Sequence, residues 1–158
     1  MIKNEHISRY IGILANRLRR EIDALASRGE YSGAEGKILH FILAHTDSEI
    51  FQKDLEEEFG MRPSSASALI KKMEQRGLIT REPVPYDGRF KRIVPSEKAL
   101  KNKENVLHGV QALESRLLDG ISKEQQEQWL AITKKMIQNL QKRTFVRFRA
   151  ERLFIREC

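Results

Sequence analysis

Cysteine is almost missing from this chain of 158 residues: the only one is Cys158, the last position. No disulfide can close within one chain, which fits a reducing compartment. Apolar runs are short, and none approaches the roughly 18 to 20 residues needed for a membrane span. Residues 1–10 carry Lys3, Asn4, Glu5 and His6 where a secretory leader would have an apolar core. A cytoplasmic protein with no membrane partner is the simplest expectation. Enzyme signatures are also lacking. There is no glycine-rich phosphate loop and no nucleophile elbow, and Glu56, Glu57 and Glu58 are consecutive, so a helix spreads them over its faces. His40 and His45 stand five apart, on different faces of a helix, and no His-x-x-x-His or cysteine-rich set exists. The expectation is therefore no catalytic residues, no metal and no cofactor.

Positive charge is abundant. Twenty-nine lysines and arginines against 22 acidic residues give a formal net charge of +7 and a pI near 9.7. Such a balance favours polyanionic partners.

Helical periodicity dominates the pattern. Ile7, Ile11, Leu14, Leu18, Ile22 and Leu25 recur every three or four residues, an apolar stripe that Gly29 should end. Ser32 and Glu35 form a capping-box pattern ahead of a helix with Ile38, Leu39, Ile42 and Leu43 inward, stopping near Thr46 and Asp47. A very short extended piece, counted as a short strand, is expected at 49–51, then a short acidic helix at 52–59 with Leu55 and Phe59 inward. Gly60 makes a turn, and Pro63 suits the first position of a helix over 63–76, with Ala66, Leu69, Ile70 and Met73 facing the core. Gly77 is its natural stop.

Residues 78–82 and 90–94 are β-prone. Pro83, Pro85, Asp87 and Gly88 interrupt them and favour a bent hairpin with Asp87, Gly88 and Arg89 at its tip. Ser96 can cap one long helix over 97–118, with Leu100, Leu107, Val110, Leu113 and Leu117 on one side. Gly120 breaks it, and Ser122 with Gln125 opens a last helix that should bury Trp129, Ile132, Met136, Ile137 and Leu140. The long amphipathic helices at the two ends cannot all bury their stripes against so small a centre, and packing across a two-fold axis is a natural solution.

Residues 60–96 concentrate what can dock on duplex DNA: a helix with small hydroxyl residues near its start and lysines further along, then a basic hairpin. Met73-Glu74-Gln75-Arg76-Gly77-Leu78-Ile79 followed by Asp87-Gly88-Arg89, within this helix order, resembles the winged helix-turn-helix of the MarR family of bacterial transcriptional regulators. The similarity runs from about Ile7 to Leu140 and is densest over 32–98.

The resemblance implies a mainly α fold with a small β wing: a winged helix-turn-helix core flanked by long dimerisation helices. It assigns residues 1–31 to an N-terminal dimerisation helix, 32–96 to the DNA-binding domain and 97–143 to C-terminal dimerisation helices. A basic aromatic tail, 144–158, extends past the family's usual end and reads as a continuation of the last helix packed on the dimer, with a peripheral contact to DNA or an anionic membrane surface as the alternative.

The resemblance further implies a homodimer on a pseudo-palindromic operator, with recognition helices in successive major grooves. The DNA-facing residues of the recognition helix would be Arg62, Ser64, Ser65, Ser67, Ala68, Lys71, Lys72 and Arg76. Those of the wing would be Asp87, Gly88, Arg89 and Lys91, with Arg89 in the minor groove and Asp87 bracing it. It also implies a repressor relieved by a small-molecule effector, whose site the sequence does not name. A non-specific nucleoid-type DNA binder and a protein-interaction module stand as alternatives. Arg62 occupies a position where the family often has a capping Ser or Asp, and Pro95-Ser96 replaces the usual Leu-Thr after the wing.

Overall fold

The computed structural model describes the backbone of residues 6–154 and the side chains of residues 6–141. The chain forms two compact units, residues 1–114 and 115–158. In the first, α1 (Ile7–Arg28), α2 (Gly33–Ala44), α3 (Gln52–Phe59) and α4 (Pro63–Gln75) precede a hairpin of β1 (Ile79–Val84) and β2 (Asp87–Pro95), then α5 (Glu97–Lys101) and most of α6 (Lys103–Leu117). The second holds the end of α6 and the long α7 (Lys123–Phe154). The expected mainly α architecture with a small β wing is observed.

Local chemistry accounts for most boundaries. The Ser32 N–H donates to Glu35 Oε2 at 2.8 Å, and the Glu35 N–H donates to Ser32 Oγ at 3.2 Å. This reciprocal cap satisfies two amides that a helix start leaves without partners. Gly60, at φ 59°, closes α3 in the left-handed region. Gly77, at φ 69°, ends the turn after α4, where the Leu78 N–H donates to the Met73 carbonyl at 3.0 Å. Both positions demand a conformation that glycine adopts without steric cost. Ser96 Oγ accepts the Ala99 N–H at 3.1 Å and starts α5.

Four expectations need correction. Residues 49–51 are extended without forming a strand. A single backbone hydrogen bond joins them to the hairpin, from the Ile93 N–H to the Ile50 carbonyl at 2.7 Å, and the sheet has two strands. The hairpin ladder is longer than expected: it passes through Pro83, which pairs with Lys91, and shifts register between Pro83 and Val84. A proline is tolerated there because both strands are edges. The turn falls on Pro85 and Tyr86, not on Asp87-Gly88-Arg89, because Val84 pairs with Asp87 and leaves two residues to close the loop. Proline's fixed φ suits such a turn.

The expected single helix over 97–118 is broken at Asn102, which caps α5. Asn102 Nδ2 donates to the Tyr31 hydroxyl at 3.3 Å, and Asn105 Nδ2 donates to Asn102 Oδ1 at 2.9 Å. Asparagine is a weak helix former, and the Asn102 side chain is held here by a partner outside the helix. The last helix does continue into the tail, as far as Phe154.

The core lies in the centre of the first unit. Ile38, Leu39, Ile42 and Leu43 of α2 meet Leu55 of α3, Ile70 and Met73 of α4, Leu78, Ile79 and Ile93 around the hairpin, and Ala99 of α5. This core presses one face of α4 inward and thereby decides which face is left outside. The end helices behave otherwise. Ile7, Ile11, Leu14, Trp129, Ile132, Ile137 and Leu140 are exposed within a single chain.

Candidate nucleic-acid interface

The phase of α4 follows from its apolar spacing. Ala66, Ile70 and Met73 are buried, so Ser64, Ser65, Ser67, Ala68, Lys71 and Lys72 lie on the exposed side. Leu69, expected inward, is half-buried. The exposed side is low in relief over its first turns and cationic further on. Pro63 occupies the first helical position, and the Arg62 side chain makes no capping hydrogen bond. The first-turn amides of α4 are thus left without a side-chain cap at their positive dipole end.

In the hairpin, Asp87 opens β2 and grips Arg89 by three bonds. The Arg89 N–H donates to Oδ1 at 3.0 Å, its Nε donates to Oδ1 at 3.1 Å, and its Nη2 donates to Oδ2 at 2.9 Å. Arg89's side chain is 88% exposed. The bidentate fork fixes the direction of a side chain that would otherwise sample many rotamers. The Arg89 side chain and then its backbone N–H hold the Asp87 carboxyl below the usual carboxylate range, and Asp87 raises Arg89 in turn. Gly88 and Lys91 are exposed beside them.

Several contacts that position this surface escaped the sequence reading. Tyr86 Oη donates to Glu49 Oε2 at 2.8 Å and ties the hairpin turn to the segment before α3. Arg92 bridges Glu82 at 3.2 Å and Glu49 at 3.7 Å. Arg81 donates through Nε and Nη2 to Glu74 Oε2 at 3.0 and 2.7 Å, joining the hairpin to α4. Partners this far apart in sequence leave no local signal. Beneath the hairpin lies a cleft of about 580 Å³ lined in part by Phe51, Tyr86, Arg89 and Phe90.

Arg76, expected on the DNA-facing side, has a different set of neighbours. It pairs with the buried carboxylate of Glu35 and donates through Nη2 to the Glu30 carbonyl at 2.6 Å. Lys72 Nζ lies 3.6 Å from Glu35 Oε1. Burial pushes the Glu35 carboxyl up, but the Ser32 N–H, the Arg76 guanidinium and Lys72 together outweigh it and hold the group below its ordinary value.

A cavity of about 590 Å³ opens within the first unit, between α1, α2 and α6. Leu18, Ile22, Leu25, Phe41, Val106 and Val110 supply apolar walls, with His40, Lys37, Asn102 and Asn105 as polar groups. Burial and then the nearby His45 lower the basicity of His40. Among the described residues, no group of acidic, histidine or cysteine side chains could hold a metal ion, and no helix is long and apolar enough to cross a membrane.

Comparison with known proteins places this geometry. Residues 31–89 match the sequence model of the MarR family. No curated protein matches the chain. Among solved structures, the chain is similar to the transcription regulator MarR from Oenococcus oeni PSU-1, at 27% identity and a TM-score of 0.81, covering 84% of this chain and 99% of that one. It is also similar to a MarR family transcriptional regulator from Listeria monocytogenes solved with a 26mer DNA, at 20% identity, TM-score 0.74 and coverage of 86% and 89%. The S. aureus MepR–DNA complex aligns at 22% identity, TM-score 0.74 and coverage of 85% and 98%. The matched segment runs from the Ser32 cap through α4 to the Asp87–Arg89 fork, and over it the chain is similar to the MarR family of transcription regulators.

Proposed function

We propose that this chain is a homodimeric, sequence-specific DNA-binding regulator of transcription, acting as a repressor that a small-molecule effector releases. The observation that carries the reading is the pairing of two exposed features in one lobe. One is the Ser64, Ser65, Ser67, Ala68, Lys71 and Lys72 face of α4, and the other is Arg89 held outward by Asp87. Small side chains let α4 approach base edges in a major groove, and its lysines neutralise phosphates. A braced arginine on a thin hairpin suits the narrow minor groove, where negative potential is concentrated. Relatives of the same fold solved on DNA support the same assignment. Arg62 and Lys91 flank these features and serve as phosphate contacts.

Dimerisation is supported by the uncovered stripes of Ile7, Ile11 and Leu14 in α1 and of Trp129, Ile132, Ile137 and Leu140 in α7. Burying such residues against a second copy removes apolar area from water and sets a two-fold axis. Two recognition helices related by that axis read half-sites about one helical turn apart.

The cavity between α1, α2 and α6 is the effector site in this reading. Its size suits a small organic molecule, and its walls combine apolar surface with a few polar groups. Because α2 lines the cavity and also packs under α4, a ligand that prefers one arrangement of α2 changes how the recognition helices are presented. It acts only through that difference in affinity.

Selection of bound fragments from a random duplex pool tests the function. A palindromic consensus with half-sites about one turn apart is expected. Equal capture of all sequences would instead mean a non-specific binder, and no salt-sensitive capture at all would mean a protein-interaction module.

A further inference from the structure

Glu35 is the one charged side chain with no solvent exposure among the described residues. It sits in the first turn of α2, and its carboxylate reaches three ways. Oε2 accepts the Ser32 N–H at 2.8 Å and also pairs with Arg76 Nη1. Oε1 has no hydrogen-bond partner, and the Lys72 ammonium stands 3.6 Å from it. Arg76 caps the C-terminus of α4, and Lys72 lies one turn earlier on the same helix.

The second arm of the Arg76 guanidinium donates to the carbonyl of Glu30 at 2.6 Å. Glu30 is itself unusual, a non-glycine residue at φ 63° in the turn between α1 and α2. One planar fork thus ties the end of α4 to that turn and to the start of α2. The N-terminal end of α4 has a weaker tie, from Gln52 Nε2 to the Pro63 carbonyl at 3.3 Å, and no side-chain cap.

We propose that Glu35 and Arg76 are positioning residues for DNA recognition: the buried carboxylate on α2 sets the pose of α4 through Arg76, which acts through helix geometry and not at a phosphate. The inference rests on the DNA-binding reading above, but it reassigns a residue whose charge and place on α4 make it look like a backbone contact. An ammonium in place of the guanidinium lacks the planar fork that reaches Oε2 of Glu35 and the Glu30 carbonyl together. Removing one partner of a buried pair leaves the other uncompensated, so the helix end loses its fixed seat.

The two assignments predict opposite signs. Glu35→Gln removes the buried negative charge while keeping the side chain's length. If Arg76 and Lys72 were merely phosphate-binding cations held back by Glu35, this variant would bind duplex more tightly. Positioning predicts binding weaker by about ten-fold. Arg76→Ala is expected to weaken binding with the slope of log affinity against log salt unchanged, whereas loss of a phosphate contact makes that slope shallower by about 0.9. Arg76→Lys, which keeps the charge, is expected to weaken binding as well, and it stands in if Glu35→Gln does not fold.

The measurement is duplex affinity of the full chain across a salt series on a fragment selected by the wild type, with amide hydrogen exchange of free α4 followed alongside. Faster exchange over residues 69–76 in Glu35→Gln and Arg76→Lys, no faster in the double variant, is the expected result. Tighter binding by Glu35→Gln, a shallower slope for Arg76→Ala, or unaltered exchange overturns the proposal. Wild-type protein that binds no duplex overturns the DNA-binding reading instead, and the exchange measurement still decides whether Glu35 seats α4.

Discussion

Leu39 in α2 has 0% exposure within a single chain, whereas Trp129 in α7 keeps 55% and Leu140 keeps 70%. Both regions are helical, amphipathic and rich in large apolar residues. The centre completes its core from its own elements: α2, α3, α4, the hairpin and α5 each contribute a buried side chain. The end helices do not, and α6 has no buried residue at all. The same periodic pattern therefore carries two meanings. In the centre it specifies a core, and at the ends it leaves apolar surface that the chain's own residues do not cover.

Charge divides along a similar line within the centre. Arg89 and Arg76 are both arginines paired with carboxylates, yet Arg89's partner lies two residues away and Arg76's lies on another helix. Asp87 holds Arg89 in an exposed position, ready for an external anion. Glu35 draws Arg76 toward the interior. A cation beside a recognition helix is therefore assigned by where its partner stands and not by sign alone.

The contrast between core and surface stripes is most directly broken at the ends. Ile11→Asp places a charge in the α1 stripe, and we expect the dimer to split into folded monomers, as measured by sedimentation velocity. A dimer that persists would mean α1 is not part of the interface. Within the core, Leu39→Ala should destabilise the chain by about 2 to 5 kcal/mol in urea unfolding, because the cavity cannot collapse fully. Trp129→Ala, by contrast, should alter association while leaving the unfolding of the central lobe almost unchanged.

Arg89→Ala probes the wing and should weaken operator binding by about 1 to 3 kcal/mol with the dimer intact. Fluorescence anisotropy on the selected duplex reads this, and wild-type affinity would remove Arg89 from the interface. Acid sharpens the other half of the arginine comparison. The folded-state value of Glu35 lies below its unfolded value, so its contribution to stability is present above the unfolded value and is lost as pH falls through the folded one. The decline in thermal midpoint across that acid window should be shallower in Glu35→Gln than in the wild type. The smallest expected effect is Lys71→Ala, which should shift unfolding by no more than about 0.5 kcal/mol and reduce the salt slope of DNA binding by about 1.

Much of the candidate interface was legible in the chain because its determinants are local. The buried phase of α4 follows from Ala66, Ile70 and Met73 at helical spacing. The Asp87–Arg89 fork spans two residues, and the Ser32–Glu35 and Ser96 caps span three. The hairpin turn was misplaced because its position depends on which residues pair across the strands, and Val84 opposite Asp87 moves it to Pro85 and Tyr86. The helix after Ser96 was drawn too long because Asn102 finds its partner in Tyr31, far back along the chain. The tail side chains of residues 144–158 lie outside the described residues, so the reading of their role is unaltered.

By itself the sequence determined the first four helices, the caps, the exposed face of α4 and the likeness to the MarR family, since each rests on spacing within a few residues or on a short motif. Only the tertiary structure decided what Glu35 does. From the sequence it is a capping residue, and it remains one. Folding brings Arg76 and Lys72 to the same carboxylate from another helix, and the cost of leaving a buried charge unpaired makes that convergence a structural requirement. The same physics separates the two kinds of apolar stripe: periodicity marks a face for burial, but only the packed chain reveals which faces its own residues cover.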